Sequence, residues 1–310
     1  MATLKKTLEF ATPGTRLSVA LRQLVIERPG LPKATTPIED IGVVVIDAVT
    51  ATYTHAVFLE LMAVGATVVM SGRDHLPAGM MLPLDAHHVL TERHRAQIEV
   101  GEPRRKRLWR ALVQAKINQQ ARVLIDFLGE DRGLAAMSRK VKSGDVGNLE
   151  AQAAQRYWPL LFGRDFRRDR QAEGVNALLN YGYAIIRAAI ARSVVASGLI
   201  PSLGVFHKNR ANPFCLADDL LEPYRPIVDW RVRKMADECL TNLDQRETRA
   251  TLLSLFNETL LIADRRSPLL LAIQTSAASL ARALTGGDEA LALPTSLPLA
   301  MGPDDAAEET

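Results

Sequence analysis

The hydrophobic pattern of the chain changes character near residue 80. Over residues 8–72, short apolar runs such as 16–26 and 41–47 are separated by PG, RPG and TTP turn signals, a texture typical of β-strands. A helical stretch at 54–65 leads into another apolar run that indicates a buried strand. These patterns predict a small β-rich domain over residues 1–80.

Helical spacing of apolar residues follows a connector at 74–83 that carries proline and glycine. The segments with this spacing are 88–100, 104–128, 149–162, 175–196, 226–240, 248–263 and 268–284. They predict a larger all-helical domain over 81–285, so the expected fold class is α+β. Residues 286–310 open with two glycines, hold three prolines and end in acids, a composition that predicts a disordered tail.

Composition narrows the classes of protein. With 310 residues, 47% hydrophobic and 24% charged, the chain has the make-up of an ordinary globular protein. A net charge of +3 neither requires nor excludes a polyanionic partner. The N-terminal sequence MATLKKTLEF lacks the apolar core of a signal peptide, and no run approaches the ~18 apolar residues that span a bilayer. We therefore expect a cytoplasmic protein with no membrane partner.

Two kinds of site are disfavoured by the motifs. Cys215 and Cys239 have neither CxxC spacing nor a partner cluster, so the sequence predicts neither a disulfide framework nor a zinc site. The chain has no GxxxxGK or GxGxxG sequence. A loop that cradles nucleotide phosphates is therefore not expected.

A histidine and a dense acidic turn stand close together in GVFHKNRANPFCLADDLLEPYRP, which begins at Gly204. In a helix, Glu222 lies on the same face as Asp218 and Asp219, and carboxylates so close together repel unless a cation compensates. His207, just upstream, could join them as a ligand. The alternative is a solvated first turn favoured by the helix dipole, with a histidine that is merely hydrogen-bonded. The pattern alone leaves both interpretations open.

A further acid, Glu150, lies in SGDVGNLEAQAAQRYWPLLFG, residues 143–163. Asn148 is the expected N-cap of a helix there, which places Glu150 in the first helical turn. A carboxylate in a first turn also has a purely electrostatic reason to exist, because a helix N-terminus carries positive partial charge. Taken alone, Glu150 does not indicate chemistry.

A basic stretch at 162–187 offers candidate DNA contacts. It begins as a loop with Arg164, Arg167, Arg168 and Arg170 and continues as a helix that carries Tyr181. Arginine forks suit phosphate oxygens and aromatic rings suit unstacked bases. Ion pairs between arginines and carboxylates of neighbouring helices are the alternative.

A second basic cluster, at 104–110, surrounds Trp109. It fits either a track for DNA or a solvated helix face with one buried aromatic ring. The sequence does not decide between them.

Three motifs together carry a family resemblance. GNLEAQAAQRYWPLLFG, NALLNYGYAIIR and HKNRANPFCLADDLLEPYRPIVD occur in this order and resemble the CRISPR-associated adaptation integrases, the Cas-one family, in the variants that accompany Cas9-type (type II) systems. The resemblance covers most of residues 1–285 and is weakest in the β-rich part. It implies a β-sheet domain that dimerises, followed by a helical catalytic domain.

The resemblance also implies a divalent-metal site. Its catalytic metal ligands fall on Glu150, His207 and Glu222, and Asp219 holds the position of a further family acid in or beside the ligand set. Carboxylate oxygens are hard ligands that suit Mg²⁺ or Mn²⁺, and one imidazole favours Mn²⁺ without excluding Mg²⁺. The expected cofactor is therefore Mg²⁺ or Mn²⁺.

The function implied by the resemblance is integration of captured DNA, with DNA endonuclease activity at the same site. A 3′-hydroxyl of a short DNA, the prespacer, would attack a phosphodiester at the end of a CRISPR repeat, with Lys208 and Arg210 added to the candidate phosphate contacts. The expected partners are double-stranded DNA, a second copy of the chain, and a dimer of the small Cas-two protein. Two alternatives stay open: a metal-dependent nuclease acting on branched or single-stranded DNA, and an inert DNA-binding scaffold.

Overall fold

The N-terminal part of the chain folds as two sheets packed around one short helix in this computed structural model, which describes residues 5–83, 87–169, 171–287 and 290–299. The strands are β1 (Lys6–Phe10), β2 (Arg16–Ala20), β3 (Gln23–Glu27), β4 (Ala34–Pro37), β5 (Ile41–Ile46), β6 (Thr52–Tyr53), β7 (Thr67–Ser71) and β8 (Pro77–Met81), and the helix is α1 (His55–Ala63). One sheet has the order β1-β5-β7-β8, with β8 antiparallel to β7 and the other pairs parallel. The second has the order β4-β3-β2-β6.

The strand β5 separates two hydrophobic cores. All six of its residues are buried, as expected for a parallel strand that is covered on both faces. Because successive side chains of a strand point to opposite faces, Val44 packs with α1 and the second sheet. Val43 and Val45, together with Val69 of β7, pack into the core of the helical part.

The rest of the chain is mainly helical. Its elements are α2 (Leu90–Glu99), α3 (Glu102–Leu128), α4 (Leu134–Arg139), α5 (Leu149–Phe162), α6 (Val175–Ala196), α7 (Cys215–Leu221), α8 (Arg225–Asp237), α9 (Arg246–Leu253), β9 (Thr259–Ile262), β10 (Arg265–Pro268) and α10 (Leu269–Leu284). The α+β class is confirmed. Within the described residues, no helix is long and apolar enough to cross a membrane.

The long helices α3 and α6 lie at the centre of the helical part. Helix α6 is buried along most of its length and contacts α7, α8 and α10, whereas α3 contacts α4, α5 and α8. Gly182 lets α8 approach α6 closely, because a Cβ at this position would lie 2.4 Å from Cγ1 of Val228. This close packing positions the segment that leads from α7 into α8.

One predicted helix is interrupted by a hairpin. The helix expected at 248–263 ends at Leu253, and β9 and β10 pair as antiparallel strands. Ala263 and Asp264 form the turn, and both have positive φ, at 48° and 59°, as a tight two-residue hairpin requires. Leu260 and Ile262 are buried and alternate with the less buried Thr259 and Leu261, but residues 260–262 are all apolar in the sequence. The sequence therefore carries no period-two pattern that could outweigh the helical pattern before it.

Part of the predicted disordered tail is ordered, so that prediction is wrong for residues 290–299. The backbone of this segment runs beside β9, and the amides of Thr295 and Leu299 donate to carbonyl oxygens of Leu261 and Thr259 at 2.8 and 2.9 Å. The Gln119 amide on α3 donates to two further carbonyls of the segment, each at 2.9 Å. These partners satisfy the backbone hydrogen bonds of the segment, and its composition alone did not predict them. Residues 288–289 and 300–310 lie outside the described residues.

A buried arginine joins the β-rich part to the helical part. Arg249 of α9 pairs through Nε with Glu9 of β1 at 2.7 Å and through Nη2 with Asp47, just after β5, at 3.3 Å. All three side chains are at most 6% exposed. Asp47 also accepts a hydrogen bond from Nδ1 of His75 at 2.8 Å.

Replacing Arg249 with methionine should destabilise the whole protein. The change leaves the carboxylates of Glu9 and Asp47 buried without their guanidinium, which typically costs about 3–5 kcal/mol. The measurement is urea denaturation followed by circular dichroism. Arg246→Met, at an exposed position of the same helix, is the matched control, and an equal midpoint for the two variants would contradict the role of Arg249.

Candidate active site

Glu222 begins a 3₁₀ turn between α7 and α8, where Pro223 and Pro226 fit the first turns of short helical pieces. Its side chain is 5% exposed. One oxygen, Oε1, accepts a hydrogen bond from Nε of Arg225 at 2.9 Å. Burial would raise the pKa of Glu222, but the positive charges of Arg225 and Lys116 outweigh it and hold the pKa at about 2. Glu222 is therefore ionised.

Glu150 is held at the start of α5 by an aspartate. The amides of Leu149 and Glu150 donate to Oδ1 and Oδ2 of Asp145 at 2.9 and 3.0 Å. Asn148 is the N-cap residue of this helix, as predicted. Asn148 makes no side-chain cap bond and instead turns the backbone in the left-handed region, at φ 49°. Glu150 does lie in the first turn.

Lys116 of α3 joins the two glutamates. Its ammonium lies 2.6 Å from Oε1 of Glu150 and 2.5 Å from Oε2 of Glu222, and its side chain is 12% exposed. Burial would lower the pKa of Lys116, but the two carboxylates raise it above the usual value. Two of the three predicted metal ligands thus converge on a single positive charge.

His207 is anchored by Asp219. The fully buried Asp219 carboxylate accepts hydrogen bonds from the amides of Val205, Phe206 and His207 at 2.6, 3.1 and 3.1 Å, and from Nδ1 of His207 at 2.7 Å. Both of its oxygens are therefore engaged, and Asp219 lies behind His207 rather than among the ligands. The hydrogen bond that His207 donates to the Asp219 carboxylate raises the pKa of His207, against the effect of burial.

Two local features complete this loop. A Cβ on Gly204 would lie 2.5 Å from the carbonyl oxygen of His207 and 2.7 Å from Oδ2 of Asp219, so the loop can close on the carboxylate only over a glycine. Trp109 of α3 stacks on Phe206 at 4.2 Å with an interplanar angle of 2°, and the His207 ring stands edge-on to Trp109 at 5.7 Å. The Asp219 carboxylate and the stacked pair of Trp109 and Phe206 together fix the orientation of the His207 imidazole.

The fit of this site to a metal ion is partial. Within the described residues, no group of three His, Cys, Asp or Glu side chains lies near enough together to hold a metal ion. Glu150 and Glu222 share one cation, as carboxylate ligands of Mg²⁺ or Mn²⁺ would. His207 is joined to Asp219, a carboxylate–histidine pair of the kind that orients metal-binding imidazoles and leaves Nε2 for the metal.

A buried network supports Glu222 from behind. The Arg225 guanidinium that binds Glu222 lies 4.7 Å from the ring centroid of Tyr183. The Tyr183 hydroxyl donates a hydrogen bond to Asp229 of α8. Burial raises the pKa of Asp229 to about 7.

Asp218 faces away from this site. Its oxygens accept hydrogen bonds from Nε of Arg187 and from the amide of Asn212, each at 2.5 Å. These contacts tie the His207 loop to α6. Asp218 therefore has a structural partner of its own.

The predicted DNA contacts divide by exposure. Lys208 and Arg210 are exposed beside His207, and Arg164 and Arg167 are exposed in the loop after α5. Tyr181 was expected to stack on a base, and that prediction is wrong because its ring is fully buried. Tyr181 lies on the inner side of α6, in the core of the helical part.

Arg168 makes internal contacts, but with amide side chains rather than with the carboxylates that the alternative interpretation named. Its guanidinium donates to the side-chain oxygens of Asn176 and Asn180 at 2.9 and 2.5 Å and lies over the ring of Tyr183. In the 104–110 cluster, Trp109 is the buried aromatic ring that the second interpretation predicted. Arg170 lies outside the described residues.

Sequence reasoning missed Lys116 and Asp145. Lys116 stands one turn after Leu112 and one turn before Gln120, both buried on α3, so a lysine on an apolar stripe was the available signal. Asp145 precedes α5 by four residues, and the sequence around it predicts only a turn, not a contact with the first turn of α5. Neither residue falls in a motif that carries the resemblance.

The sequence matches a known protein family and a curated protein from that family. The family model for CRISPR associated protein Cas1 matches residues 8–260. The CRISPR-associated endonuclease Cas1 of Neisseria meningitidis serogroup C (strain 8013) is 41% identical over 222 residues, 71% of this chain and 72% of that protein.

Two solved structures are similar in fold. A casposase bound to integration product superposes with a TM-score of 0.77 at 20% identity, covering 98% of both chains. A Cas6-RT-Cas1–Cas2 complex gives a TM-score of 0.70 at 18% identity, covering 94% of this chain and 36% of that chain. At these identities the likeness concerns the fold alone.

The raised pKa of Asp229 predicts that stability falls as the pH rises. Its contribution is fully present below the unfolded pKa near 3.8 and is lost as the pH rises through about 7. The charged and titratable groups near it are Tyr183, Tyr157, Arg225 and Lys116. The free energy of unfolding of the wild type should fall between pH 5 and pH 8, and Asp229→Asn should reduce this fall by on the order of 2 kcal/mol.

Urea denaturation at the two pH values measures this difference. Asp237→Asn, at the exposed end of the same helix, is the control and should keep the wild-type pH dependence. A stability difference between wild type and Asp229→Asn that is the same at pH 5 and pH 8 would refute the assignment.

Proposed function

Because the chain belongs to the CRISPR associated protein Cas1 family, we propose that it is a CRISPR adaptation integrase. It would join the 3′-hydroxyl ends of captured DNA to the ends of the CRISPR repeat by metal-dependent transesterification. Two relatives support this class of reaction: one is named an endonuclease, and the casposase of similar fold is bound to an integration product.

The observation that carries the proposal is the convergence of Glu150 and Glu222 on one cation beside an anchored histidine. We propose that Glu150, Glu222 and Nε2 of His207 hold Mg²⁺ or Mn²⁺. When bound, the ion would supply a Lewis acid that stabilises negative charge on the phosphate undergoing exchange.

The protein's own residues prepare this chemistry. Arg225 keeps Glu222 ionised, and Asp145 fixes the backbone of Glu150. Asp219 accepts a hydrogen bond from Nδ1–H of His207, and in the neutral imidazole Nε2 then presents a lone pair. Each ligand is thus oriented by a neighbour, which is how pre-organised sites maintain their geometry.

The reaction exchanges one phosphodiester for another. The incoming 3′-oxygen forms a bond to phosphorus, which stays on the 5′-oxygen of the repeat, as the bond to the 3′-oxygen of the flanking DNA breaks. The proton lost by the first hydroxyl is balanced by protonation of the second. The exchange needs no nucleotide cofactor, in keeping with a sequence that carries neither phosphate-loop motif. Lys208 and Arg210, which are exposed, would neutralise phosphates beside His207.

We further propose the assembly in which this site works. The β-rich part, residues 1–80, would pair with a second copy of the chain, and double-stranded DNA would be held together with a Cas-two dimer. The fold relative found in a Cas6-RT-Cas1–Cas2 complex supports that partner. The Cas-two dimer would set the distance between two integration events.

A second candidate function is a metal-dependent nuclease that acts on branched or single-stranded DNA. The name of the Neisseria meningitidis relative favours it, and the same three residues would serve, with water in place of the 3′-hydroxyl. The convergent carboxylates argue against the third alternative, an inert scaffold, because a scaffold has no need of two acids held on one largely buried lysine.

A 3′-dideoxy donor distinguishes the two enzymes. With Mg²⁺ and the Cas-two partner, the integrase should join a 3′-hydroxyl donor to a repeat-bearing DNA and fail with the dideoxy donor, while nicking is unchanged. Glu150→Gln should lower joining by ~100-fold or more, because even residues behind metal ligands contribute 10–100-fold. Glu99→Gln, at an exposed position of α2, is the control. Nicking without joining of the unblocked donor would favour the nuclease.

Phe206 replaces Tyr181 as the candidate for base stacking. One face of its ring rests on Trp109, and the side chain is 48% exposed. Phe206→Ala should weaken binding of a duplex with a single-stranded 3′ end by ~5- to 100-fold, the effect of one stacked base, and change binding of a blunt duplex less. Fluorescence anisotropy measures both, with Leu203→Ala, exposed in the same loop, as the control. Equal losses for the two DNAs would argue against stacking.

A further inference from the structure

Lys116 lies where the two carboxylates of the proposed metal site meet. Its ammonium is within 2.6 Å of Glu150 and 2.5 Å of Glu222. The lysine comes from α3, whereas the acids begin α5 and follow α7, so three separate elements meet at this charge.

The contact is not a chance surface pair. Lys116 is 12% exposed and Glu222 is 5% exposed, so neither charge is well hydrated. Two carboxylates so close together repel unless a cation lies between them. An ammonium has three donors and no acceptor, and it can therefore satisfy one oxygen of each acid.

A divalent ion would require the same oxygens. Mg²⁺ binds carboxylate oxygens at 2.0–2.1 Å with near-ideal geometry, and an ammonium in hydrogen-bond contact with those oxygens would crowd and repel it. Glu222 cannot turn away, because Arg225 holds its other oxygen at 2.9 Å. The lysine has four flexible carbons and can move instead.

Building on the proposed function, we propose that Lys116 is a resident counter-ion that exchanges with the divalent cation. Without metal, its ammonium keeps Glu150 and Glu222 together against their mutual repulsion. When the metal binds, the Lys116 ammonium leaves both carboxylates. The affinity of the site for the ion is therefore lower than it would be without the lysine. Lys116 is thus a positioning residue for the metal-free site and a competitor of the metal.

The test measures metal binding rather than catalysis. Lys116→Met should bind Mn²⁺ about tenfold more tightly than wild type in isothermal titration calorimetry, and its melting temperature should rise more on Mn²⁺ addition. Lys106→Met is the matched control: it lies on the same helix but is exposed and pairs with Glu102, and it should bind as wild type. Glu150→Gln should lose the binding.

The outcomes separate the inference from the proposed function. If the wild type shows no Mn²⁺ binding that is lost in Glu150→Gln, the proposed metal site is refuted, and the inference about Lys116 is refuted with it. If wild type binds and Glu150→Gln does not, but Lys116→Met binds as wild type or more weakly, the inference alone is overturned.

A measurement on wild type covers the case in which Lys116→Met does not fold. In protein labelled with ¹⁵N-lysine, the Nζ signal of Lys116, assigned through Lys116→Arg, should shift as Mg²⁺ is added and saturate with the calorimetric binding curve. A signal unchanged at saturating Mg²⁺ would overturn the exchange.

Discussion

Charge compensation inside a helical core is the constraint on which this structure depends. Glu150, Glu222 and Lys116 come from three elements that are distant in the chain, and none of them is well solvated where they meet. Buried charges cost several kcal/mol each unless they are paired, so the helices must pack in the one arrangement that brings these groups together. The neighbours Arg225, Asp145 and Asp219 then orient each acid or imidazole.

The same principle operates at a second place, between the β-rich and helical parts. Arg249 reaches from α9 to Glu9 and Asp47, and its side chain is nearly as buried as theirs. Tyr181 lies close to this group, and burial raises the pKa of its hydroxyl above the usual value. A residue that the sequence suggested as a DNA contact is thus part of the junction between the two parts of the fold.

Much of the fold could be predicted because its patterns are local. The change of period near residue 80, the long helices and the position of Glu150 in a first turn all follow from spacing along the chain. Partners distant in sequence leave no such pattern. Lys116 is separated from Glu150 by 34 residues and from Glu222 by 106. Gln119 is separated from its partners Pro294 and Ser296 by 175 and 177 residues. Spacing also cannot tell which face of a helix such as α6 turns inward, which is why Tyr181 was misplaced.

The alternation of side chains along β5 means that the two parts cannot be separated as folding units. Cutting the chain near residue 80 would strip cover from Val43, Val45 and Val69, which belong to the helical core although they lie on strands of the β-rich part. Neither fragment would retain a closed hydrophobic interior. The chain is therefore expected to fold and melt as one cooperative unit, with the sheet serving as an internal wall rather than as a detachable module.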